Sequence, residues 1–316
     1  MSKTVLITGA AGFAGTHLIE LLGREAAGLS IVAWHRPGRP PSVHLPRARW
    51  EAVDLSDPSA VRESVASMQP DFVYHCAGAA HVGRSWADLA STFHTNVRGT
   101  HHLLEGLRAA GCETRVLIPG SAMVYRPADQ PHAETDALVP PTPYGMSKLA
   151  QELLGLRAST GKVSVTIGRA FNHIGPRQDP AFAASGFARQ IAEIEMGLRA
   201  AEVVVGNLEA HRDIMDVRDT VRAYRAIAER GRTNRPYNVC TGRAMAIGEL
   251  LDRLVSLARV KVTVRVDPQR FRPVDQPLLV GNAGRLQQEL GWSPTIPLSQ
   301  TLDDLMAYWR QTLSAT

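Results

Sequence analysis

Tyr144 and Lys148 stand four residues apart in Pro143-Tyr144-Gly145-Met146-Ser147-Lys148, and Leu149, Leu153 and Leu154 follow at helical spacing. On a helix, residues i and i+4 share a face, so the phenol and the ammonium point into one space. A phenol ordinarily ionises near pH ~10, and an adjacent cation lowers that value. Such a tyrosine can pass a proton to or from a substrate oxygen near neutral pH. The same spacing also occurs where a surface tyrosine merely neighbours a solvated lysine, so the pair acquires meaning only from the rest of the chain.

Ser121 is the third candidate. Arg115-Val116-Leu117-Ile118-Pro119 reads as a strand running into Gly120-Ser121-Ala122-Met123-Val124-Tyr125. Ligands in open α/β sheets bind beyond the carboxyl ends of the strands. A serine hydroxyl there can bond the reacting oxygen.

A phosphate cradle opens the chain. Thr4-Val5-Leu6-Ile7-Thr8 reads as a strand and Thr16-His17-Leu18-Ile19-Glu20-Leu21-Leu22 as a helix, with Gly9, Gly12, Phe13, Ala14 and Gly15 in the turn between them. Glycine lets the backbone approach a pyrophosphate, and a helix N-terminus offers free N–H groups and a positive dipole end. The spacing is G-x-x-G-x-x-G, and its context indicates dinucleotide binding.

A second strand, Ser30 to Arg36, ends where an acidic residue would hold a ribose 2′-hydroxyl. Arg36 stands there instead. An arginine attracts a 2′-phosphate, which favours NADP(H) and leaves NAD(H) open. The bland alternative is that Arg36 faces water. The third strand, Trp50 to Leu55, brings Asp54 and Leu55 to the cofactor. Asp54 could bond an adenine amine, or cap the helix after Asp57-Pro58. Ala77 and Gly78 end the fourth strand and are small enough for close cofactor approach. One long helix is expected from about 88 to 110, carrying Asn96. Its His101-His102 pair is expected on a helix surface or at a subunit contact, and no metal site is expected, because no ligand spacing is present.

Alternating strands and helices predict an α/β protein, a Rossmann-type doubly wound parallel sheet. Residues 1–175, with about 214–240 and 276–293, are assigned to a dinucleotide-binding domain. Residues 176–213, 241–275 and 294–316 are assigned to a smaller, interleaved substrate domain. The net charge is +5, but Lys and Arg are dispersed and aromatics make up only 6%, which argues against a base-stacking nucleic-acid surface. No apolar run approaches the ~20 residues of a membrane span, and no leader peptide is legible. The scattered Cys76, Cys112 and Cys240 suit a reduced, cytoplasmic protein.

Together, Gly9/Gly12/Gly15, Ser121 and Tyr144/Lys148 resemble the extended short-chain dehydrogenase/reductases. Arg169 to Pro176, Gly206 to Asp213, and Arg272-Pro273-Val274-Asp275 resemble its GDP-sugar branch, which holds the GDP-mannose 4,6-dehydratases and the GDP-4-dehydro-6-deoxy-D-mannose reductases. The likeness spans nearly the whole chain and is nearest the reductases. A dehydratase needs a carboxylate two residues before Tyr125. Met123 stands there and cannot move a proton. Arg126 replaces the glycine usual after Tyr125, which leaves the shape of that loop open.

The resemblance implies reduction, with NADPH, of the C4 ketone of GDP-4-dehydro-6-deoxy-D-mannose to GDP-D-rhamnose. It implies that Tyr144 donates the proton to O4 and that Lys148 lowers the tyrosine pKa and holds the nicotinamide ribose. Ser121 bonds the carbonyl. It further implies diphosphate contacts from Arg212 and Arg272, with Asn172 and, more weakly, Arg189 beside them, and a hexose contact from Ser85. His81 either meets substrate or packs locally. A homodimer through the helices near 88–110 and 145–160 is expected. Two alternatives stand: a nucleotide-sugar 4-epimerase with tightly held NAD, and a non-enzymatic regulator on the same fold. A dehydratase is a more distant third.

Overall fold

The computed structural model describes residues 2–25, 28–41, 45–159, 161–271 and 276–315. Seven strands form one parallel sheet: β1 (Lys3–Thr8), β2 (Leu29–His35), β3 (Ala48–Ala52), β4 (Phe72–His75), β5 (Thr114–Ser121), β6 (Val163–Ala170) and β10 (Pro236–Val239). Their order is β10-β6-β5-β4-β1-β2-β3, so the winding reverses between β1 and β4. A crevice opens at such a reversal.

Side-chain alternation explains why both faces are covered. Along β1, Val5 and Ile7 enter one apolar cluster and Leu6 enters another. The first is closed by α1 (Phe13–Glu25) and α8 (Val217–Arg230), through Leu18, Leu22, Tyr224 and Ile227. The second is closed by α2 (Pro58–Met68) and α5 (Gly99–Ala109), through Val61, Val65, Leu103 and Leu107.

The segment from 82 to 109 differs from the single helix expected. It comprises α3 (Val82–Ala87), α4 (Leu89–Phe93), a π-helical turn over His94–Arg98, and α5. Asp88 interrupts the run and caps α4 by accepting from Ser91 N–H at 2.9 Å. His102 is also not on the surface. It is 8% exposed, and its Nδ1 lies 2.8 Å from the Leu55 carbonyl oxygen, because α5 packs on α2. Asp54 does not cap α2; Asp57 does, accepting from Ser59 and Ala60 N–H.

The remaining elements cover the carboxyl ends of the large sheet's strands. β7 (Asn172–Ile174), β9 (His211–Asp216), β11 (Ala244–Ala246) and β13 (Leu278–Leu279) form a small sheet, and β8 (Glu202–Val205) pairs with β12 (Thr263–Val266). Their core joins α7 (Ala183–Glu195), α9 (Ile247–Ser256) and α11 (Leu298–Ser314) through Phe187, Ile191, Leu251, Leu254, Leu305 and Met306. Of residues 276–293, β13 pairs in the small sheet while α10 (Gly284–Leu290) packs on β10. No helix among the described residues is long and apolar enough to cross a membrane.

Candidate active site

A cleft of ≈ 1310 Å³ lies between the large sheet's strand ends and the small sheet. Its wall includes Gly12, Phe13, Ala14, Ala77, Gly78, Ser121, Tyr144, Lys148, Asn172, Arg189 and Arg212. Sequence positions scattered over 200 residues thus meet in one space.

The glycine turn fits a dinucleotide. Gly9 has φ +62, and a Cβ there would lie 2.5 Å from the Ala77 nitrogen. A Cβ on Gly15 would lie 2.6 Å from the Gly9 carbonyl oxygen. These two glycines therefore set the turn's shape, while Gly12, Phe13 and Ala14 line the cleft at the start of α1. The first N–H groups of a helix have no internal partners and suit an anion. At the far edge, Arg36 is exposed beside Asp54. The Ser56 N–H and hydroxyl, with a smaller contribution from Arg36, hold the Asp54 carboxyl below the usual range. Arg36, Asp54 and Leu55 stand outside the cleft wall, at the end where the sheet order puts an adenosine.

The reacting end is built by α6 (Pro143–Ala158). Thr142 caps it, accepting from Gly145 N–H at 3.0 Å, and Pro143 opens its first turn. Gly145 permits close approach: a Cβ there would lie 2.3 Å from the Met123 carbonyl oxygen. Tyr144 and Ser121, the last residue of β5, line the same stretch of the cleft, with the serine hydroxyl near enough to the phenol to act on it electrostatically.

Burial pushes the Tyr144 phenol up, with the nearby Ser121 hydroxyl opposing it. This differs from the expectation that Lys148 lowers it. The physical reason is that burial penalises phenolate, while the ammonium is engaged elsewhere. Lys148 Nζ donates to the Pro119 carbonyl oxygen at 2.6 Å and to Gln151 Oε1. Burial brings the Lys148 ammonium down to about 8, against the nearby Cys76 and Glu152.

Gln151 is itself held. Its Nε2 donates to Thr100 Oγ1 at 2.8 Å, and Thr100 donates to the Asn96 carbonyl oxygen at 2.6 Å. Because Thr100 has spent its proton, His75 Nε2, 2.8 Å away, must be the donor to Thr100. His75 Nδ1 then accepts from Thr8 Oγ1 at 2.8 Å. Burial lowers His75 to about 3, so the ring is neutral. The chain ends on backbone groups, so it orients Lys148 and offers no proton exit.

Asn96 lies in the π-helical turn and was not singled out for the site by sequence. Its Oδ1 accepts from Ala79 N–H at 2.7 Å, and its Nδ2 donates to Ser147 Oγ at 2.9 Å. It thereby ties the loop after β4 to α6. A widened turn inside a helix is the structural signal, and it is invisible in the spacing.

Ser85 requires a correction. It is fully buried and absent from the cleft wall. Its hydroxyl donates to the Val82 carbonyl oxygen at 2.7 Å and accepts from Tyr144 N–H at 3.1 Å. Its place is beneath the tyrosine, supporting it, because α3 packs on the start of α6. His81 packs locally on the cleft wall: it stacks on Phe182 (ring centroids 4.7 Å apart) and lies 3.4 Å from Asp179.

At the other end, Arg212 is 8% exposed and donates to the His211 and Gln276 carbonyl oxygens at 2.8 and 2.7 Å. Arg189 bonds Glu193 at 2.7 Å and lies over the Trp309 ring. Arg272 lies outside the described residues. Arg199, Arg270, Gln178 and Gln276 also line this end, and sequence reading did not select them. Gln178 Oε1 and both polar atoms of the Gln276 amide are buried without hydrogen-bond partners among the described residues. Among the described residues no cluster of three His, Cys, Asp or Glu side chains could hold a metal.

Comparison with known proteins agrees with this geometry. Residues 6–305 match the family described as GDP-mannose 4,6 dehydratase. The chain is 34% identical over 313 residues to the GDP-6-deoxy-D-mannose reductase of Pseudomonas aeruginosa, covering 98% of each. The structure of RMD from Pseudomonas aeruginosa complexed with NADPH is similar at TM-score 0.85 and 32% identity, covering 98% of this chain and 100% of that one. The UDP-glucose 4-epimerase of Thermotoga maritima with UDP-glucose is similar at TM-score 0.87 and 25% identity, covering 98% and 99%. With its glycine turn, serine, tyrosine and lysine gathered at one cleft, the chain belongs to the GDP-mannose 4,6-dehydratase family of extended short-chain dehydrogenase/reductases, nicotinamide-dependent enzymes of nucleotide sugars.

Proposed function

We propose that this enzyme reduces the C4 ketone of GDP-4-dehydro-6-deoxy-D-mannose to GDP-D-rhamnose, with NADPH preferred. The observation that carries the reading is the cleft itself. Ser121, Tyr144 and Lys148 stand together there, while Met123 occupies the wall where a dehydratase needs an acid–base group. Similarity over the full length to a reductase of that name supports the same choice. Arg36, exposed at the end of β2, supports NADP over NAD.

When bound, the nicotinamide supplies the hydride. The chain's own residues do the rest. Tyr144 keeps its proton at neutral pH, since burial raises its pKa, and gives it to the oxygen that becomes O4. Ser121 bonds the same oxygen and sets its direction. Lys148 contributes its charge as the alkoxide develops, and it uses two donors on Pro119 and Gln151, leaving one for the cleft. Arg212 and Arg272 hold the diphosphate, with Asn172 and Arg189 further along the wall. We also propose the interleaved two-domain division set out above. Homodimerisation through the helices near 88–110 and 145–160 fits as well, because Leu89, Met146 and Leu153 leave apolar surface exposed there.

The test is loss of absorbance at 340 nm with NADPH or NADH and the ketone made in situ. Substrate-dependent loss, abolished by Tyr144→Phe, supports the reductase. The second reading is a 4-epimerase, favoured by the similarity to a UDP-glucose 4-epimerase. It predicts no net oxidation and NAD that co-purifies.

A further inference from the structure

Gln276 is 5% exposed, lines the cleft, and has an amide whose Oε1 and Nε2 both lack a partner among the described residues. Buried polar groups are nearly always paired, so an unpaired amide on a cleft wall marks a place where a ligand supplies the partner. The pairing of the small sheet says which part of the ligand. β13 runs parallel to β9, with Leu278 opposite His211 and Leu279 opposite Arg212. β7 pairs with the other end of β9, Asn172 opposite Ile214, and carries His173 stacked on Phe13 of the glycine turn. Along this wall the order is glycine turn, β7, Arg212, Gln276. The Gln276 main-chain carbonyl accepts from Arg212 Nη1, so the two are adjacent. Gln276 therefore lies on the side of Arg212 away from β7, which begins just after Ala170, the residue paired with Ser121 at the Tyr144 end of the cleft.

A nucleotide sugar with its diphosphate at Arg212 puts its hexose toward Tyr144 and its nucleoside toward Gln276. The amide presents both a donor and an acceptor. Phosphate oxygens only accept and satisfy half of it. Vicinal ribose hydroxyls donate and accept, and satisfy both atoms. We propose that Gln276 is a specificity-determining residue that hydrogen-bonds the ribose hydroxyls of the substrate's nucleoside diphosphate. This rests on the nucleotide-sugar reading of the cleft.

The test is calorimetric binding of GDP, 2′-deoxy-GDP and 3′-deoxy-GDP to the full chain and to Gln276→Leu, with Tm recorded for both proteins. The wild type should bind GDP about tenfold or more tighter than at least one deoxy form, the scale of one good hydrogen bond. Gln276→Leu should weaken GDP to the level of that analogue, leave the analogue's affinity unchanged, and keep or raise Tm. In turnover, KM should rise while kcat holds. If Gln276→Leu still discriminates the deoxy forms as the wild type does, the inference is wrong. It is equally wrong if Tm falls and all three ligands weaken together, which would show a structural role. A changed preference between GDP and UDP with intact deoxy discrimination would mean that the amide reads the base. If the wild type binds none of the nucleotides, the nucleotide-sugar reading itself fails.

Discussion

At the residue scale, chemistry depends on how burial divides protons between Tyr144 and Lys148. Tyr144→Phe removes the proposed proton donor without changing the packing. Turnover should fall by about 10²–10⁴-fold with Tm unchanged, read as initial rate and thermal melt. The Lys148 ammonium titrates at about 8. Affinity for the anionic cofactor should therefore weaken as pH rises through that value. Fluorescence titration of NADPH between pH 7 and 10 checks this, and Lys148→Met should flatten the curve. Gln151→Leu removes an acceptor from the ammonium. The alkaline limb should move to lower pH, with Gln151→Glu moving it the other way. A purely structural role for Gln151 would lower Tm and leave the midpoint in place.

At the element scale, α6 is held from below as well as displayed above. Glu152, one residue past Gln151, is 1% exposed and accepts from Arg169 Nε at 3.0 Å and Nη2 at 2.5 Å. Arg169 also donates to Tyr125 Oη at 2.9 Å, and Tyr125 donates to Asn238 Oδ1 at 2.6 Å. α6, β6, β10 and the loop after β5 thus share one buried network. Removing one partner of such a pair leaves a buried charge and costs about 3–5 kcal/mol. Arg169→Met should cost that much in urea denaturation. The double variant Arg169→Met/Glu152→Met should recover a large part of it. If the single and double variants lose the same stability, the pair is not the cause. Glu152→Gln should also lower the Lys148 midpoint, since its charge supports the ammonium.

At the scale of the whole molecule, two contacts govern how the parts stay together. His17 on α1 bonds the Pro176 carbonyl oxygen at 2.9 Å and Arg177 at 3.0 Å, while Arg177 bonds Glu20 at 2.8 and 3.0 Å. This clasp joins α1 to the segment that follows β7. Burial and Arg177 lower His17 to about 4, and burial lowers His75 to about 3. Both rings stay neutral when folded but take a proton below about 6.5 when unfolded. The unfolded state then binds more protons, so stability falls as pH drops from about 6.5 toward 4. Each histidine contributes a slope of about 1.4 kcal/mol per pH unit. Melting at pH 7 and 4.5 should show a larger loss for the wild type than for His17→Gln. The second contact is the proposed dimer face. Leu153→Glu places a charge on that exposed apolar face and should convert the dimer to a monomer in light scattering. A wild type that is monomeric would remove that proposal.

Much of this enzyme could be read from one dimension. The glycine turn, the strand-end serine and the Tyr144–Lys148 spacing are short-range patterns. Each depends on local geometry that neighbouring residues dictate, so sequence alone determined the parallel sheet and that the glycine turn, Ser121, Tyr144 and Lys148 meet at its strand ends. Other features came from packing between distant segments. Ser85 faces Tyr144 rather than solvent because α3 docks on α6. Asn96 turns toward Ala79 because a π-helical turn interrupts the helix. The Tyr144 phenol is raised because burial penalises the phenolate more than the Ser121 hydroxyl favours it. Gln276 became visible only when β13 paired with β9 and left its amide unpaired on the cleft wall. Hydrogen-bond satisfaction and desolvation depend on what surrounds a group in three dimensions, and no spacing along the chain encodes them.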